Sequence, residues 1–227
     1  MQHLMTGERA RAPAGLPGGT GPGPARCGRY PEGMSSEPRG RPRASSREVL
    51  AEAACELFLE RGYAATSVSD ITRRAGVSRS SFFNYFPSKA DVLWGGFDER
   101  IAALGEELAD RRDSARTTDA EVRAALVSMA EGFAPDSLAL ALTNARQMEL
   151  DDELEREASV RRSRIARLVA DRMRRAGVDE LRAAVIGSAY GGAVLAAVEE
   201  WARQGAGRVR LGEVLGRALA AVGFRAD

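Results

Sequence analysis

The sequence predicts an all-α protein in which a small three-helix domain precedes a larger helical bundle. Apolar residues recur at three- and four-residue spacing from about residue 47 onwards, which is the period of an amphipathic helix. Glycine or proline interrupts this pattern where helices are expected to end. No alternation of apolar and polar residues typical of a strand stands out.

Residues 1–44 are predicted to be a disordered tail. The tail holds seven of the nine prolines and many glycines and arginines, with almost no periodic apolar content. Such a segment cannot bury enough apolar surface to offset the entropy lost on ordering. Met34 would also make a plausible start, so the native protein is expected to begin either at Met1 or at Met34.

Residues 45–90 are predicted to form the three-helix domain. The first helix ends before Gly62, which suits the left-handed residue just past a helix end. Ser67 and Asp70 fit a capping box at the start of the second helix. The apolar stripe of these two helices consists of Val49, Leu50, Ala53, Ala54, Leu57, Phe58, Val68, Ile71 and Ala75.

A tight turn is predicted to join the second helix to the third. Gly76 tolerates the positive φ that such a turn needs. Ser78 caps the third helix, and Pro87 ends it, because the residue before a proline disfavours helical angles. Ser88 is predicted to cap a fourth helix that begins at Lys89.

The third helix is predicted to present a polar and aromatic face to solvent, with Phe82 and Phe86 turned to the core. Asparagine can read adenine, serine can donate or accept, and an aromatic ring can touch a thymine methyl group. A helix-turn-helix with such a face predicts a sequence-specific DNA-binding protein, whereas the alternative is a surface helix whose rings pack against a neighbour. The residues facing outwards are Arg79, Ser80, Ser81, Phe83 and Asn84.

Charge favours DNA binding only locally. The whole chain has a net charge of +1, whereas the segment from Arg39 to Lys89 has nine basic and five acidic residues. The acidic residues cluster on the first helix, so the turn and the third helix are expected to be basic. Arg39, Arg41 and Arg43 either reach DNA as a flexible arm or belong to a merely soluble tail.

Four motifs follow one another between about Glu48 and Trp94: Leu57-Phe58-x-x-x-Gly62-Tyr63, Thr66-Ser67-Val68-x-Asp70-Ile71, Ala75-Gly76-Val77-Ser78 and Phe83-x-Tyr85-Phe86-Pro87-Ser88-Lys89. Their order is highly specific, and the segment resembles the TetR (tetracycline repressor) family of bacterial transcriptional regulators. The resemblance covers about a fifth of the chain. It implies a homodimer whose third helices enter successive major grooves of a palindromic operator.

The resemblance also implies which residues touch bases. Ser81, Phe83 and Asn84 fall where base and methyl contacts arise in the family. Phe83 replaces the commoner tyrosine, so it can touch a methyl group but cannot donate a hydrogen bond to a phosphate. Ser80 and Ser81 replace the frequent glycine and threonine, a mild change that is expected to alter the preferred bases.

Phosphate contacts are implied for Tyr85 and Lys89, and for Thr66 or Ser67 at the start of the second helix. Lys89 is the only lysine of the chain. A lysine in the first turn of a helix opposes the helix dipole, which favours a phosphate partner over an ordinary solvated side chain. The predicted DNA-binding residues are therefore Ser67, Arg79, Ser80, Ser81, Phe83, Asn84, Tyr85 and Lys89.

Residues 91–227 are assigned to a helical domain for ligand binding and dimerisation. Gly187 and Gly191 form a GxxxG pattern, which lets two helices approach closely. The helical segments expected after the third helix are 89–110, 119–133, 136–150, 152–176, 179–203 and 211–223.

The last two helices are expected to form the dimer interface, as the corresponding pair does in the TetR family. Large apolar side chains in the segment 179–203 offer more surface than one partner helix could cover, and a two-fold axis would bury them. The alternative is a core within one chain. The side chains concerned are Val185, Tyr190, Val194, Leu195, Val198 and Trp201.

Members of the family usually bind a small molecule in the second domain, which shifts the fourth helix and releases DNA. For the apolar candidates the alternative is plain core, and Arg146 either orients an acidic ligand or is solvated or paired with Glu149. The pattern from Phe82 to Asp98 also resembles regulators linked to mycofactocin systems, some of which respond to acyl-CoA. The candidate ligand-binding residues are Trp94, Phe97, Met129, Phe133, Arg146, Met148 and Tyr190.

The sequence argues against catalysis, a metal site or a cofactor. The sole histidine, His3, lies in the tail, as does Cys27, and Cys55 lies in the first helix. A helical enzyme is therefore not expected. The chain starts without an apolar core of signal-peptide length, and its longest uncharged run, residues 183–198, is too short to span a bilayer.

Together these observations predict a cytoplasmic, dimeric, ligand-responsive DNA-binding regulator. The favoured form is a repressor that a small molecule releases from a palindromic operator. The alternative is a non-specific or architectural DNA-binding protein.

Overall fold

The computed structural model describes residues 46–110 and 119–222, which lie within one compact unit, Arg43–Asp227. In these ranges the secondary structure is helical without a strand, so the predicted all-α fold is confirmed. The predicted tail lies outside the described residues, and the domain boundary at residues 90 and 91 stays a prediction. The helices are α1 (Ser46–Arg61), α2 (Val68–Ala75), α3 (Arg79–Tyr85), α4 (Asp91–Asp110), α5 (Asp119–Ala130), α6 (Ser137–Thr143), α7 (Asp151–Arg175), α8 (Glu180–Arg203) and α9 (Leu211–Ala221).

We call α1–α3 the reader and α4–α9 the bundle. The apolar stripe of α1 packs on α2 and α3, and these side chains belong to one hydrophobic core that continues into the bundle. Gly62 and Gly76 end α1 and α2 with φ angles of 81° and 68°, as predicted. The reader's part of this core consists of Leu50, Ala53, Ala54, Leu57, Phe58, Ile71, Phe82 and Phe86.

α4 begins at Asp91 rather than at Lys89 as predicted. The chain first makes a tighter turn, in which the Leu93 N–H donates to the Ala90 carbonyl (3.0 Å). Ser88 does cap this end, since its Oγ accepts from the Asp91 N–H at 3.4 Å. Lys89 therefore precedes the helix instead of lying in its first turn.

α6 is shorter than predicted and ends at Thr143. Turns follow as far as Glu149, which is the non-glycine residue with a positive φ (54°) among those described. These turns bring the Met148 carbonyl to the Tyr63 N–H at 2.7 Å, and this bond fastens the end of α6 to the reader.

α7 and α8 form the closest helix pair of the bundle. A Cβ at Gly191 would lie 2.6 Å from the Arg162 carbonyl oxygen, and one at Gly187 would overlap the Ala166 carbonyl oxygen. The predicted close approach is confirmed. α8 is long and apolar enough to cross a membrane by composition alone, but half of its most apolar window is buried inside the protein.

The residues predicted to form the dimer interface are mostly core residues, so this prediction is wrong for all but one of them. Val185 is 54% exposed, whereas the other five are at most 2% exposed within the single chain. Within the single chain, α7 and α9 pack on α8 and cover these side chains. The apolar pattern along the sequence could not indicate which helices would do so. The buried five are Tyr190, Val194, Leu195, Val198 and Trp201.

Candidate nucleic-acid interface

The start of α2 is fixed by the predicted capping box. Ser67 Oγ accepts from the Asp70 N–H (3.2 Å), and Asp70 Oδ2 accepts from the Ser67 N–H (3.0 Å). The Ser67 hydroxyl also donates to Asp70 Oδ2 at 2.5 Å. These bonds to the Ser67 side chain and backbone, together with Arg73, lower the pKa of Asp70 to about 2. Ser67 is exposed, but its hydroxyl is engaged in the cap.

The start of α3 carries a cluster of serine hydroxyls. Ser78 Oγ accepts from the Ser81 N–H (3.1 Å), so Ser78 is the predicted cap. The same oxygen lies 2.8 Å from Ser80 Oγ and 2.9 Å from Ser81 Oγ. Ser80 is exposed and Ser81 is half-buried, so Ser80 is the more accessible of the two.

Two buried rings hold the outward face of α3. Phe82 and Phe86 are at most 2% exposed, with ring centroids 5.6 Å apart. Phe83 packs edge-on against Phe82 at 5.3 Å and remains 46% exposed, while the Arg79 guanidinium lies 5.7 Å from its ring centroid. The ring of Phe83 is therefore supported from two sides and offers an edge to solvent.

Asn84 and Tyr85 complete this face. Both are exposed, and the exposed fraction of Tyr85 is 45%. The structure thus leaves the predicted base-reading residues Phe83 and Asn84 exposed on α3 and Ser81 half-buried. We call this outward surface of α3 the α3 face, formed by Arg79, Ser80, Ser81, Phe83, Asn84 and Tyr85.

Fewer arginines of α2 and α3 are available to DNA than the sequence indicated, because two of them pair with carboxylates of the reader. Arg74 pairs with Glu56 (3.0 Å) and Glu60 (2.7 Å) on α1, and Arg73 pairs with Asp70. Arg79 is exposed and has no carboxylate within ion-pair distance among the described residues. Arg79 is therefore the cation of α2 and α3 most available to an external anion.

Thr66 does not lie on this surface. It is 1% exposed, and its Oγ1 donates to the Gly62 carbonyl at 2.9 Å, so the alternative that Thr66 binds phosphate is wrong. A threonine that closes the turn after α1 has no accessible hydroxyl left.

Lys89 is half-buried rather than solvated. Its Nζ donates to the carbonyl oxygens of Tyr63 (2.6 Å) and Thr66 (2.8 Å). Burial lowers the pKa of Lys89. The structure thus gives Lys89 partners within the chain, which the sequence did not indicate.

Three of the candidate ligand-binding residues lie together. Trp94, Phe97 and Phe133 form a row of rings with centroid distances of 6.0 Å and 6.4 Å, and the row continues to Trp201 at 5.3 Å. Trp94 and Phe97 are fully buried, whereas half-buried Phe133 lines a cleft of about 520 Å³ between the end of α5 and the start of α9.

The other candidates do not join this row into one site. The Tyr190 hydroxyl donates to Asp119, and Arg146 is exposed on the turn after α6, beside a separate cleft. Met129 and Met148 are buried in the core. The predicted ligand-binding residues therefore come from several places, and their role stays a prediction.

A buried arginine that the sequence pattern does not indicate joins α4 to α7. Arg161 is 4% exposed and pairs with Asp98 at 2.6 Å, Asp91 at 3.6 Å and Glu157. Its guanidinium carbon also lies 4.5 Å from the ring centroid of Trp94. In the sequence Arg161 is one of many arginines, so only the fold distinguishes it.

The comparison with known proteins decides the family. The model described as "Bacterial regulatory proteins, tetR family" matches residues 50–93, which hold most of α1 and all of α2 and α3. The segment that holds the helix-turn-helix therefore belongs to the TetR family. The predicted family is thereby confirmed.

Curated relatives match the N-terminal part of the chain. A mycofactocin biosynthesis transcriptional regulator, MftR, of Mycobacterium tuberculosis is 37% identical over 89 residues, which are 39% of this chain and 44% of the relative. The transcriptional repressor DhaR of a Mycobacterium species is 47% identical over 72 residues, or 30% of this chain and 36% of the relative. The chain thus spans less than half the length of these relatives, and the mycofactocin-linked subgroup stays a prediction.

A solved structure extends the similarity to the bundle. NalD, the secondary repressor of a multidrug efflux pump in Pseudomonas aeruginosa, superposes with a TM-score of 0.50 at 21% identity. The match covers 78% of this chain and 94% of NalD. At this identity the similarity establishes the fold alone, a helix-turn-helix region followed by a helical domain.

Proposed function

We propose that this TetR-family regulator is a dimeric repressor that binds a palindromic operator and is released by a small molecule. The observation that carries the proposal is the α3 face, where Arg79, Phe83 and Asn84 are exposed above the buried Phe82 and Phe86. Rigid anchoring of a short helix with outward polar and aromatic side chains is what direct readout in a major groove requires.

Operator binding is tested by genomic footprinting followed by affinity measurements on the site found. Asn84→Ala removes a side chain suited to adenine and should cost about 1–3 kcal/mol of discrimination between the operator and a single-base variant. Tyr85→Phe, which loses a hydroxyl suited to a phosphate, should weaken binding to both sequences equally. A footprint without any preferred site would instead support the architectural alternative.

The dimer is supported by an exposed apolar line along α8. Leu181 and Val185 are 75% and 54% exposed, and Gly192, two turns further on, has no neighbouring atom within 4 Å of a built Cβ. An isolated bundle would leave this apolar surface in water, whereas a second copy related by a two-fold axis would cover it.

Sedimentation measurements test this interface. Val185→Arg should give a monomer that no longer binds the paired half-sites of the operator. Val160→Arg is the matched control, because Val160 is 57% exposed but lies on α7 away from this line. A dimer that survives Val185→Arg unchanged would refute this interface.

Ligand response is supported by the aromatic row, since it runs from α4 to the cleft beside Phe133. A ligand in the cleft would contact the ring of Phe133, which packs on Phe97 of α4, the helix that follows the reader. Acyl-CoA esters are the first probes to test, in view of the sequence resemblance to mycofactocin-linked regulators. An acyl-CoA ester that binds in the cleft should raise the unfolding temperature of the protein and release the protein from the operator. Phe133→Ala should remove both effects. We propose that this response takes place in the cytoplasm.

A further inference from the structure

Lys89 ties together the two segments that flank α2 and α3. Its side chain comes from the segment between α3 and α4, whereas the carbonyl groups that it binds, those of Tyr63 and Thr66, belong to the turn between α1 and α2. Its Nζ also lies 3.8 Å from the ring centroid of Tyr63, a cation–π contact. One ammonium group therefore joins the segment that follows α3 to the turn that precedes α2.

Tyr63 extends this connection to the bundle. Its hydroxyl donates to Glu153 Oε1 on α7 (3.2 Å), and its N–H donates to the Met148 carbonyl (2.7 Å). Burial raises the pKa of Tyr63, so the hydroxyl keeps the proton that it donates. We call Lys89, Tyr63 and Glu153 the joint.

The joint acts on the start of α2. Thr66 directly precedes Ser67, the cap of α2, so holding the Thr66 carbonyl fixes the first turn of that helix. α3 packs on α2 and carries the α3 face. An ammonium has three donors, and here two are bound to carbonyl oxygens while an aromatic ring lies beside the group. These contacts hold Nζ against the turn between α1 and α2, so that a phosphate could use only the third donor.

We propose that Lys89 is a positioning residue, which holds the helix-turn-helix against the bundle instead of contacting a DNA phosphate. The inference rests on the proposed operator binding. It differs from the expectation drawn from the family resemblance, and the two can be separated by salt dependence. If a phosphate contact is lost, fewer counterions are released on binding and the slope of log affinity against log salt becomes shallower. If the reader is only misplaced, the affinity falls but the slope does not change.

The first test measures the operator affinity of the full-length protein over a range of KCl concentrations. Lys89→Met should weaken binding about tenfold at every concentration, because two charge-assisted hydrogen bonds that place the reader are lost. The slope of log affinity against log salt should stay that of the wild type. Arg79→Met is the comparison variant, and its slope should fall by about 0.9, the value for one phosphate contact.

The second test uses the unaltered protein, so it remains decisive if Lys89→Met folds poorly. Because Lys89 is the only lysine, ¹³C-lysine labelling gives a single set of side-chain signals. The Tyr63 ring should shift the Cε–Hε signal upfield in the free protein, and Tyr63→Leu should abolish that shift. A positioning lysine keeps the upfield signal when the operator is added.

Three results would overturn the inference: an unchanged affinity of Lys89→Met, a slope that falls by about 0.9, or a Cε–Hε signal that loses its upfield shift on the operator. Any of them leaves operator binding by the wild type intact. A wild-type protein that binds no genomic site would refute the proposed function itself, and that result is obtained before any variant is needed.

Discussion

Side chains a few residues away cap α2 and α3 of the reader, whereas side-chain bonds between distant residues join the helices of the bundle. Ser67 and Ser78 each bind a backbone N–H three residues away. In the bundle, Arg161 binds Asp98 across 63 positions, and Arg123 binds the end of α9 across 96. Local bonds form wherever a few residues permit them, but long-range bonds exist only in the completed fold. The difference predicts that substitutions in the bundle will cost more than loss of a reader cap.

The largest effect is expected where α8 meets α7. Gly187→Ala should lower the free energy of unfolding by about 3 kcal/mol, because the new methyl group overlaps the Ala166 carbonyl oxygen and the helices must separate. Gly192→Ala on the same helix meets no atom of the chain within 4 Å. It should raise stability by up to about 1 kcal/mol through helix propensity.

Chemical denaturation measures both variants. Equal effects at the two glycines would contradict the close packing of α7 on α8. A large loss of unfolding free energy for Gly192→Ala alone would mean that a second molecule covers that position, and this would support the proposed dimer.

A slightly smaller effect is expected at Arg161. Arg161→Met should cost about 2–3 kcal/mol, less than a fully buried pair, because Asp98 and Glu157 lose a buried counter-charge but are themselves 26% and 24% exposed. Arg164→Met is the matched control, since Arg164 is 44% exposed and 3.8 Å from Asp98. An exposed pair of this kind contributes less than about 1 kcal/mol. Similar losses for the two variants in denaturant titrations would show that burial of Arg161 has no special weight.

The reader gives the next smaller effect. Ser67→Ala should lower the free energy of unfolding by about 1 kcal/mol, because the Asp70 N–H loses its side-chain acceptor and Asp70 Oδ2 loses the hydroxyl that donates to it. Ser69→Ala, two residues later and exposed within α2, keeps the cap and should change stability little. If thermal unfolding gives the same midpoint for both variants, the cap does not stabilise α2.

The smallest effect is a pH dependence that arises from the same cap. The pKa of Asp70 is lowered to about 2 in the folded protein, below its ordinary value of about 3.9 in an unfolded chain. Its contribution to stability is therefore present above about pH 4 and is lost as the pH falls towards 2. Asp70→Asn should flatten this part of the profile of unfolding free energy against pH, and so should Ser67→Ala.

The local features of the reader were accessible from the sequence because each is set by neighbouring residues. Gly62, Gly76 and the serine caps occur where the turn and helix ends need them, and Phe82 is buried as its spacing indicated. Thr66 and Lys89 were assigned phosphate contacts from the family pattern. Such a pattern gives a residue's position along the chain but not the carbonyl groups that the fold places beside it.

In the bundle, by contrast, burial could not be predicted from the sequence. Val185 and Val194 lie on one apolar helix, but Val185 is 54% exposed and Val194 is fully buried. Apolar periodicity shows that a helix face needs covering, and it does not show whether the cover comes from the same chain or from a second copy. The division between core and exposed line on α8 follows from the positions of α6, α7 and α9.

By itself, the sequence determined the helical class, the helix-turn-helix with its caps, and the polar and aromatic face of α3. These features depend on backbone preferences and hydrogen bonds between residues a few positions apart. The tertiary structure decided the partners of Lys89, the clustering of carboxylates around Arg161 and the exposed side of α8. Each of these depends on which distant segments meet, and the packing of the whole chain sets those meetings.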